Sequence, residues 1–341
     1  MGDSYFSDLV SNVSGGVYVI AEACDNHMGS LDMAKALVDL AISAEADAVK
    51  FQHHIAKEEL LPGSQMSDNF DEDLYDFLER NALSLDDHKK LKQYCDTVGI
   101  QYLCTPFSLV AAQQIKDLVP FFKIGSGEFR DYLFTDQLIK LGKPILFSTG
   151  MCSSDELDET VDHYQRLDFD FALMNCLSEY PPEYQNLNLK LISTMADKYR
   201  LIVGHSDHTN TIASSILAIG FGARIIEKHV TLSEFVRGPD RDVSIKFEEL
   251  RELVAAKKWI NSALGNEKIL HEKENSVRSW AYRSLVSRRE ISAGEVLDLD
   301  NVTSKRPGNG IPSHLYPLVL GKCVRVDIPA NQAITEDDIF D

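Results

Sequence analysis

Eight short runs of apolar, largely β-branched residues recur along the chain, and stretches with helical periodicity lie between them. Strands that alternate with helices form parallel sheets, and eight such repeats in about 250 residues match the size of a closed (β/α)8 TIM barrel. An open doubly wound sheet is the weaker alternative, because no GxGxxG motif follows the first run. The predicted strands are 17–23, 48–52, 101–105, 121–125, 144–148, 171–177, 201–204 and 223–230, and the clearest helices are 31–44, 85–98, 153–165, 187–199, 212–221 and 244–264.

At 341 residues the chain can hold one large domain and a smaller one. We assign 1–265 to the barrel, 266–280 to a linker and 281–341 to a small β-rich domain. In this last part, Ile291-Ser-Ala-Gly294 is echoed 37 residues later by Ile328-Pro-Ala-Asn331. Glycine and asparagine both tolerate a positive φ in a tight turn. The tail is therefore predicted to contain two similar β-turn units related by pseudo-symmetry.

The formal net charge of −19 makes nucleic acid and anionic membrane surfaces unfavourable partners. No apolar run reaches the roughly 18 residues that a membrane-spanning helix needs. The first residues also lack a basic stretch followed by an apolar one, which a secretory signal would have. The six cysteines show no CxxC spacing, as expected for reduced thiols. We therefore expect a cytoplasmic protein that binds neither nucleic acid nor membrane.

Two successive predicted strands lead into histidines, one in Ser206-Asp-His208 and the next in Glu227-Lys-His229. A lone histidine would be interpreted as structural, but the carboxyl ends of barrel strands converge at the catalytic face. Two imidazoles there can share a divalent ion and leave positions open for water and substrate. Asp207 or Glu227 can serve to orient the rings. The pattern predicts a metal site at His208 and His229.

Lysines lie at the ends of the second and fourth predicted strands, Lys50 and Lys123, where an unpaired charge would be costly to bury. One interpretation is a structural ion pair with a nearby glutamate. The other is an anion site, because Gly125-Ser-Gly127 and Ser148-Thr-Gly150 offer hydroxyls and open backbone N–H groups of the kind that bind phosphate.

Two carboxylates, Glu22 and Glu128, lie near the ends of the first and fourth predicted strands. Each can pair with a lysine or, if burial raises its pKa, transfer a proton, and the sequence leaves both alternatives open. Tyr180 and Asp240 lie in later loops. Each can bind a polyhydroxylated substrate or serve the loop structure alone.

Taken in order, these segments resemble the sialic acid synthase family, whose members condense phosphoenolpyruvate with an N-acylated hexosamine. The resemblance extends from about Val17 to the C-terminus, and the tail resembles that family's antifreeze-like (SAF) domain. The motifs that carry it are Ile20-Ala-Glu22, Asn26-His-Met-Gly29, Ala48-Val-Lys-Phe-Gln52, Thr105-Pro-Phe107, Lys123-Ile-Gly-Ser-Gly-Glu128, Ser148-Thr-Gly-Met151, Ser206-Asp-His-Thr209, Glu227-Lys-His229, Gly238-Pro-Asp240 and Lys305-Arg-Pro-Gly-Asn-Gly310.

The resemblance implies a synthase that joins phosphoenolpyruvate, an open-chain N-acylated hexosamine and water into a nine-carbon 2-keto-3-deoxy acid, with release of phosphate by C–O cleavage. The acceptor would be N-acetylmannosamine or a diacetamido-trideoxyhexose, and the product sialic, legionaminic or pseudaminic acid for a capsule, lipopolysaccharide or flagellin glycan. The implied metal is Mn²⁺, with Mg²⁺ or Co²⁺ as alternatives, held by His208 and His229.

The resemblance also implies roles for individual residues. Gln52, Tyr180 and Asp240 would face the sugar. Arg306, with Tyr282 nearby, would reach its acyl group from the tail of the partner subunit in a domain-swapped homodimer. The implied catalytic residues are Glu22, Lys50, Glu128, His208 and His229, and the implied substrate-binding residues are Lys50, Gln52, Thr105, Lys123, Ser126, Ser148, Ser178, Tyr180, Ser206, Asp240, Tyr282 and Arg306.

Two alternative functions remain open. One is a phosphoenolpyruvate-dependent synthase of a shorter keto-deoxy acid, of the octulosonate or heptulosonate type, which would need arginines such as Arg130, Arg237 or Arg241 for a sugar phosphate. The other is a non-catalytic ice- or partner-binding protein. Lysines and arginines crowd the tail, whereas an ice-binding face would be flat and uncharged.

Overall fold

The computed structural model describes residues 4–63, 72–236, 238 and 240–340. The chain divides into two compact units, Met1–Gly265 and Asn266–Asp341. The stretch predicted as a linker, 266–280, contains most of an exposed α-helix, Glu272–Ala281.

The first unit is a TIM barrel, as predicted. Its strands are β1 Tyr18–Glu22, β2 Ala48–His53, β3 Gln101–Pro106, β4 Phe122–Ile124, β5 Ile145–Ser148, β6 Phe171–Cys176, β7 Val203–Asp207 and β8 Ile225–His229. They form a parallel sheet in the order β3-β2-β1-β8-β7-β6-β5-β4, and β3 lies beside β4 to complete the barrel. In this register Glu22 lies between Lys50 on one side and His229 on the other.

Helices follow the strands and cover the outside of the sheet. Ser30, Ser84 and Ser153 begin three of the longer helices, where each side chain accepts a hydrogen bond from a backbone N–H three residues later. The helix predicted at 187–199 begins later, because Asn188 has φ +47° and cannot continue a helix. The helices are α1 Tyr5–Ser11, α2 Leu31–Ser43, α3 Ala56–Glu59, α4 Leu74–Asn81, α5 Leu85–Val98, α6 Leu109–Ile115, α7 Tyr132–Ile139, α8 Ser154–Gln165, α9 Leu191–Tyr199, α10 Ala213–Gly220 and α11 Phe247–Ala263.

Alternate strand residues point into the barrel, and along each strand these residues change from apolar to polar. On β1, Tyr18 and Ile20 belong to the apolar interior, and Glu22 follows on the same face. On β2, Ala48 is likewise followed by Lys50. The strand alternation therefore delivers one polar side chain after another to the carboxyl end of the barrel.

The opposite end of the barrel is filled by helix α1. Its Phe6 is fully buried and lies edge-on to Phe121, with 5.2 Å between the ring centroids. Val10 of the same helix belongs to the same apolar cluster. Side chains of the described residues therefore fill this end of the barrel.

The second unit is a small β-rich domain with α12 Glu272–Ala281, β9 Ser284–Ser287, β10 Val302–Lys305 and the short helix α13 Tyr316–Val319. β9 and β10 pair antiparallel. The remaining pairings are isolated bridges, and its core is a separate apolar cluster.

The predicted internal repeat is present as a pseudo-two-fold. Ile291 pairs with Ile328, which lies at its own repeat position 37 residues later. Gly294 and Asn331 have φ of +85° and +66°, so both equivalent turns use the left-handed region. The two β-turn repeats of this domain therefore pair with each other about the Ile291–Ile328 bridge, in nearly equivalent positions.

Candidate active site

A cavity of about 800 Å³ lies at the carboxyl ends of the barrel strands. This is the face on which active sites of TIM barrels form. Each of the eight strands, or the loop that follows it, contributes to the lining. The cavity brings together every barrel residue that the sequence assigned to the site: Glu22, Lys50, Gln52, Thr105, Lys123, Ser126, Glu128, Ser148, Ser178, Tyr180, Ser206, His208, His229 and Asp240.

Two buried lysines share a carboxylate at the floor of this cavity. Lys50 Nζ lies 2.7 Å from Glu22 Oε2 and 3.5 Å from Glu227 Oε2. Lys123 Nζ lies 3.3 Å from Glu227 Oε1. Among the described residues, Glu128 pairs with neither lysine, so of the two glutamates that the sequence offered only Glu22 is an ion-pair partner. Glu227, considered above only for orienting a ring, lies between the two ammonium groups.

Hydroxyl groups surround both ammonium groups. Lys50 donates a hydrogen bond to Thr105 Oγ1 at 2.9 Å, and Lys123 donates to Ser148 Oγ at 2.8 Å. Ser206 donates to Glu227 Oε1 at 3.0 Å. An anion that enters the floor can therefore receive charge-assisted hydrogen bonds from ammonium groups and further bonds from neighbouring hydroxyls.

Gly150 leaves space for two further hydroxyls of the lining. Its backbone N–H donates to Ser126 Oγ at 3.0 Å. A β-carbon at this position would lie 2.5 Å from Ser178 Oγ and 2.8 Å from Ser126 Oγ, which is closer than such atoms can approach. Any other residue here would displace both serines, so the glycine is needed for this side of the cavity.

The two floor carboxylates differ in charge. Burial, together with the nearby Glu227, raises the pKa of Glu22 to about 7, although Lys50 opposes the shift. Burial would raise the pKa of Glu227 as well, but Lys123 and Lys50 outweigh it and lower this pKa to about 2. Glu227 therefore stays ionised, while Glu22 can take up a proton near neutral pH. When Glu22 is protonated, the floor carries excess positive charge.

His208 and His229 lie side by side, with 5.3 Å between ring centroids. His208 Nδ1 lies 2.8 Å from the Leu177 carbonyl oxygen, which places a proton on Nδ1 and makes Nε2 an acceptor, 3.4 Å from the Tyr180 hydroxyl. Tyr180 stacks on His208 with 4.3 Å between ring centroids. Burial lowers the pKa of His208 to about 4 and the pKa of His229 well below its ordinary value. Both rings are therefore neutral, the form that binds a metal ion.

Asp207 points away from the two rings. Its carboxylate lies 3.2 Å from Lys228 Nζ and accepts a hydrogen bond from Ser214 at 2.6 Å. The suggestion that Asp207 orients a histidine ring is therefore wrong. The Leu177 carbonyl oxygen orients the His208 ring instead. The reason is strand alternation, because neighbouring residues of a strand face opposite sides of the sheet.

Cys24, which the sequence did not single out, lies in the site beside Asp240. The thiol donates to Asp240 Oδ2, and Sγ lies 2.6 Å from that oxygen. With a ring nitrogen of His229, these donor atoms lie within 4.8 Å of one another, and all three residues are buried. Thiolate, imidazole and carboxylate are ligands of divalent ions, so the residues present fit a metal site at this point of the cavity.

His54, also missed by the sequence, connects Glu59 to Gln52, which lines the cavity. Its Nδ1 lies 3.0 Å from Glu59 Oε1 and its Nε2 2.9 Å from Gln52 Oε1. The amide nitrogen of Gln52 donates to Glu22 Oε1 at 3.1 Å. Burial would lower the pKa of His54, but Asp25 and Glu59 raise it above its ordinary value. Both ring nitrogens face oxygen atoms of Glu59 and Gln52, which favours the doubly protonated ring.

The two tail residues assigned to the site, Tyr282 and Arg306, lie in the second unit. The guanidinium of Arg306 lies 5.5 Å from the ring centroid of Trp280, and that of Arg278 lies 4.9 Å from the ring centroid of Tyr282. Tyr282 also lines a smaller pocket of about 340 Å³ within this unit. The role of both residues at a barrel cavity stays a prediction.

Two regions of the chain match known protein families. The NeuB family model matches residues 37–269, well over half of the chain, and the SAF domain model matches residues 282–339. The chain belongs to the NeuB family.

Curated relatives of this NeuB-family chain align along nearly its whole length. The N,N'-diacetyllegionaminic acid synthase of Campylobacter jejuni is 33% identical over 93% of this chain and 98% of its own length. A pseudaminic acid synthase of Campylobacter jejuni is 32% identical over 96% and 98%, and the N-acetylneuraminate-9-phosphate synthase of Homo sapiens is 31% identical over 94% and 92%. The chain is therefore an enzyme, a synthase, and the non-catalytic alternative is wrong.

A solved structure supports the same assignment. The N-acetylneuraminic acid (sialic acid) synthetase from Leptospira borgpetersenii serovar Hardjo-bovis, in complex with citrate, superposes with a TM-score of 0.70 at 28% identity. The superposition covers 76% of this chain and 90% of that chain.

Within the described residues, no helix of the NeuB-family enzyme is both long and apolar enough to cross a membrane.

Proposed function

We propose that this enzyme is a nonulosonic acid synthase, which condenses phosphoenolpyruvate, an open-chain N-acylated hexosamine and water into a nine-carbon 2-keto-3-deoxy acid and phosphate. One observation carries the proposal. A single cavity holds paired lysines and hydroxyls suited to an anion next to neutral histidines suited to a divalent cation. The synthases of legionaminic, pseudaminic and N-acetylneuraminic acid among the relatives support the product class.

Phosphoenolpyruvate binds at the floor of the cavity, where Lys50 and Lys123 supply the positive charge. The anion competes with the Glu22 carboxylate for the ammonium group of Lys50. Glu227 stays ionised and holds both ammonium groups in place. The hydroxyls that the resemblance assigns to this substrate are those of Ser126, Ser148, Ser178 and Ser206, and Thr105 lies beside Lys50 in the same cavity.

The acceptor sugar binds above the floor, against Gln52, Tyr180 and Asp240. C3 of phosphoenolpyruvate attacks the aldehyde carbon of the sugar and forms the new C–C bond. His208 and His229 would hold a divalent ion, Mn²⁺ by the resemblance, which would supply Lewis-acid polarisation of the aldehyde oxygen.

Water then adds to the cationic C2, and Glu22 or Glu128 takes up the proton that the water loses. The tetrahedral intermediate collapses to the keto acid as its C2–O bond to phosphate breaks. Lys50 and Lys123 stabilise the charge that develops on the departing phosphate, because they are already oriented toward it.

The tail domain completes the acceptor site in the proposed arrangement. Arg306 of the partner subunit, with Tyr282 of the partner subunit, reaches the acyl group of the sugar in a domain-swapped homodimer.

We also propose that the enzyme works in the cytoplasm, in keeping with six free cysteines.

The charge of the cavity separates this function from synthesis of a shorter keto acid. A sugar-phosphate acceptor needs further cations, but no arginine is among the described residues that line the cavity. Arg130 pairs with Glu156 and Glu159, and Arg241 pairs with Asp242. Arg237, the third candidate, lies outside the described residues. This distribution favours an acceptor without a phosphate group.

Release of phosphate from phosphoenolpyruvate tests the proposal. Purified enzyme with Mn²⁺ is offered N-acetylmannosamine and, separately, each diacetamido-trideoxyhexose that leads to legionaminic or pseudaminic acid. We expect phosphate release with at least one of the three, and loss of release with a chelator or in His208→Ala and His229→Ala. Turnover with arabinose or erythrose phosphate alone would support the shorter keto acid instead, and full activity in either histidine variant would refute the metal site.

A further inference from the structure

Three donor atoms from separate segments converge on one side of the cavity. Cys24 lies two residues beyond β1, His229 ends β8, and Asp240 lies in the loop after β8. Their sulfur, nitrogen and oxygen lie within 4.8 Å of one another. Ligand atoms around one ion, at bond lengths of about 2.0–2.3 Å, lie roughly 3.5 Å apart, so small side-chain rotations suffice to bring them together.

The histidine of this group has no hydrogen-bond partner. His229 is only 5% exposed, its Nδ1 is fully buried, and no described residue hydrogen-bonds its ring. Its ring neighbour is His208, in an edge-to-face contact. Buried polar atoms in native proteins nearly always have a partner, so an orphaned ring here indicates a ligand.

The backbone of Cys24, which carries the thiol of this group, is strained. Cys24 has φ +44°, in the left-handed region where glycine would be unstrained and a residue with a β-carbon is not. The thiol donates to Asp240 Oδ2 across 2.6 Å, so the sulfur and the carboxylate oxygen already face each other.

We propose that Cys24 is a metal ligand, together with His229 and Asp240 and next to His208, and that its thiolate makes the cavity select Co²⁺, Fe²⁺ or Zn²⁺ over Mn²⁺ and Mg²⁺. Thiolates favour softer ions, and Mn²⁺ binds most weakly of the first-row divalent series even to harder ligands. Binding exchanges the thiol proton for the ion and releases the proton to solvent, so nothing is oxidised or reduced. The inference rests on the proposed function only in placing the ion where that reaction would use it. It makes Asp240 a ligand of the ion instead of a contact of the sugar, and it replaces Mn²⁺ as the preferred ion.

Cobalt titration of the full-length, metal-free enzyme tests the ligand directly. We expect one Co²⁺ per chain and a near-ultraviolet thiolate-to-cobalt charge-transfer band. Cys24→Ser should lose the band and bind Co²⁺ at least about tenfold more weakly, because even a hydrogen-bond partner of a ligand is worth that much. Its affinity for Mn²⁺, followed by the magnetic resonance signal of free Mn²⁺, should change much less.

Cys176 supplies the matched control, because its thiol also lines the cavity but is not one of the three clustered ligands. Cys176→Ser should keep the cobalt band. Cys24→Gly, which relieves the positive φ, should lose it while unfolding no more easily than the wild type. A cobalt site without the band in the wild type, a band that persists in Cys24→Ser, or equal losses of Co²⁺ and Mn²⁺ affinity would overturn the inference.

Phosphate release is measured on the same samples and separates this inference from the proposed function. A wild-type cobalt band without turnover of any acceptor would leave the ligand assignment standing and overturn the synthase. Turnover without the band would do the reverse.

Discussion

His54 shows how one side chain can orient another that lines the cavity. The amide of Gln52 has a donor end and an acceptor end, and by itself it could face Glu22 with either. His54 lies between Glu59 and Gln52. In its doubly protonated form, its Nε2 donates to Oε1 of the Gln52 amide while its Nδ1 donates to Glu59. The amide nitrogen is then left to donate to Glu22. Gln52 therefore presents one fixed orientation to the cavity.

We expect His54→Ala to raise the KM for the acceptor sugar roughly tenfold, because one well-placed hydrogen bond contributes about 1–1.5 kcal/mol. The KM for phosphoenolpyruvate should change far less. Initial rates with each substrate varied in turn measure both values. His53→Ala is the matched control, since His53 contacts Gln114 and does not line the cavity. Equal increases in both KM values would count against the orienting role.

The residues that the sequence predicted and those it missed differ in how they reach the cavity. Lys50 and His229 lie on strands whose apolar runs are visible in the sequence, so their place at the rim followed from the barrel. Cys24 lies beyond its strand in a turn with positive φ, and His54 acts through a second side chain. Neither loop geometry nor a hydrogen-bond chain leaves a periodic pattern in the sequence.

At the scale of elements, the strand ends carry the site. The eight strands were predictable because barrel strands are buried on both faces and form nearly continuous apolar runs. The seventh was predicted to end at residue 204 but continues to Asp207, because the polar residues His205 to Asp207 interrupt the apolar run while remaining in the sheet. The polar rim that makes the site is thus the same feature that obscures where a strand ends.

The outward face of β7 and β8 holds a second buried ion pair, between Asp207 and Lys228, both fully buried. We expect Lys228→Met to lower the free energy of unfolding by about 3–5 kcal/mol, because it leaves a buried carboxylate without its cation. Urea unfolding monitored by circular dichroism measures the change. The double variant Asp207→Leu with Lys228→Met should recover part of the loss. If the double variant loses the sum of the two single losses, the pair is not coupled.

At the scale of the whole molecule, the enzyme carries a net charge of −19 but keeps two lysines at the floor of its cavity. The two lysines are buried together with the carboxylates of Glu22 and Glu227. Protonation of Glu22 leaves the floor with excess positive charge despite the negative charge of the whole chain. The tail domain was recognisable from its repeat, since its two turns need residues that tolerate a positive φ. Which barrel the tail serves does not follow from any pattern within one chain.

Mixing of subunits tests the domain-swapped dimer. Lys50→Ala removes a floor lysine from the barrel, and Arg306→Ala removes the tail arginine, so each variant alone should be nearly inactive. If the tail serves the partner's barrel, a mixed dimer contains one cavity with both residues intact. We therefore expect co-refolded variants to regain phosphate release. Failure to regain activity in verified mixed dimers would show that each tail serves its own barrel.

We propose that this cavity makes a nonulosonic acid by breaking the C–O bond of phosphoenolpyruvate. Phosphoenolpyruvate labelled with a heavy oxygen isotope at the oxygen that bridges C2 and phosphorus tests it most directly, with the products read by mass spectrometry. We predict that the label leaves in phosphate and that the keto oxygen of the product comes from water. Label retained in the keto acid would mean P–O cleavage and would contradict the account.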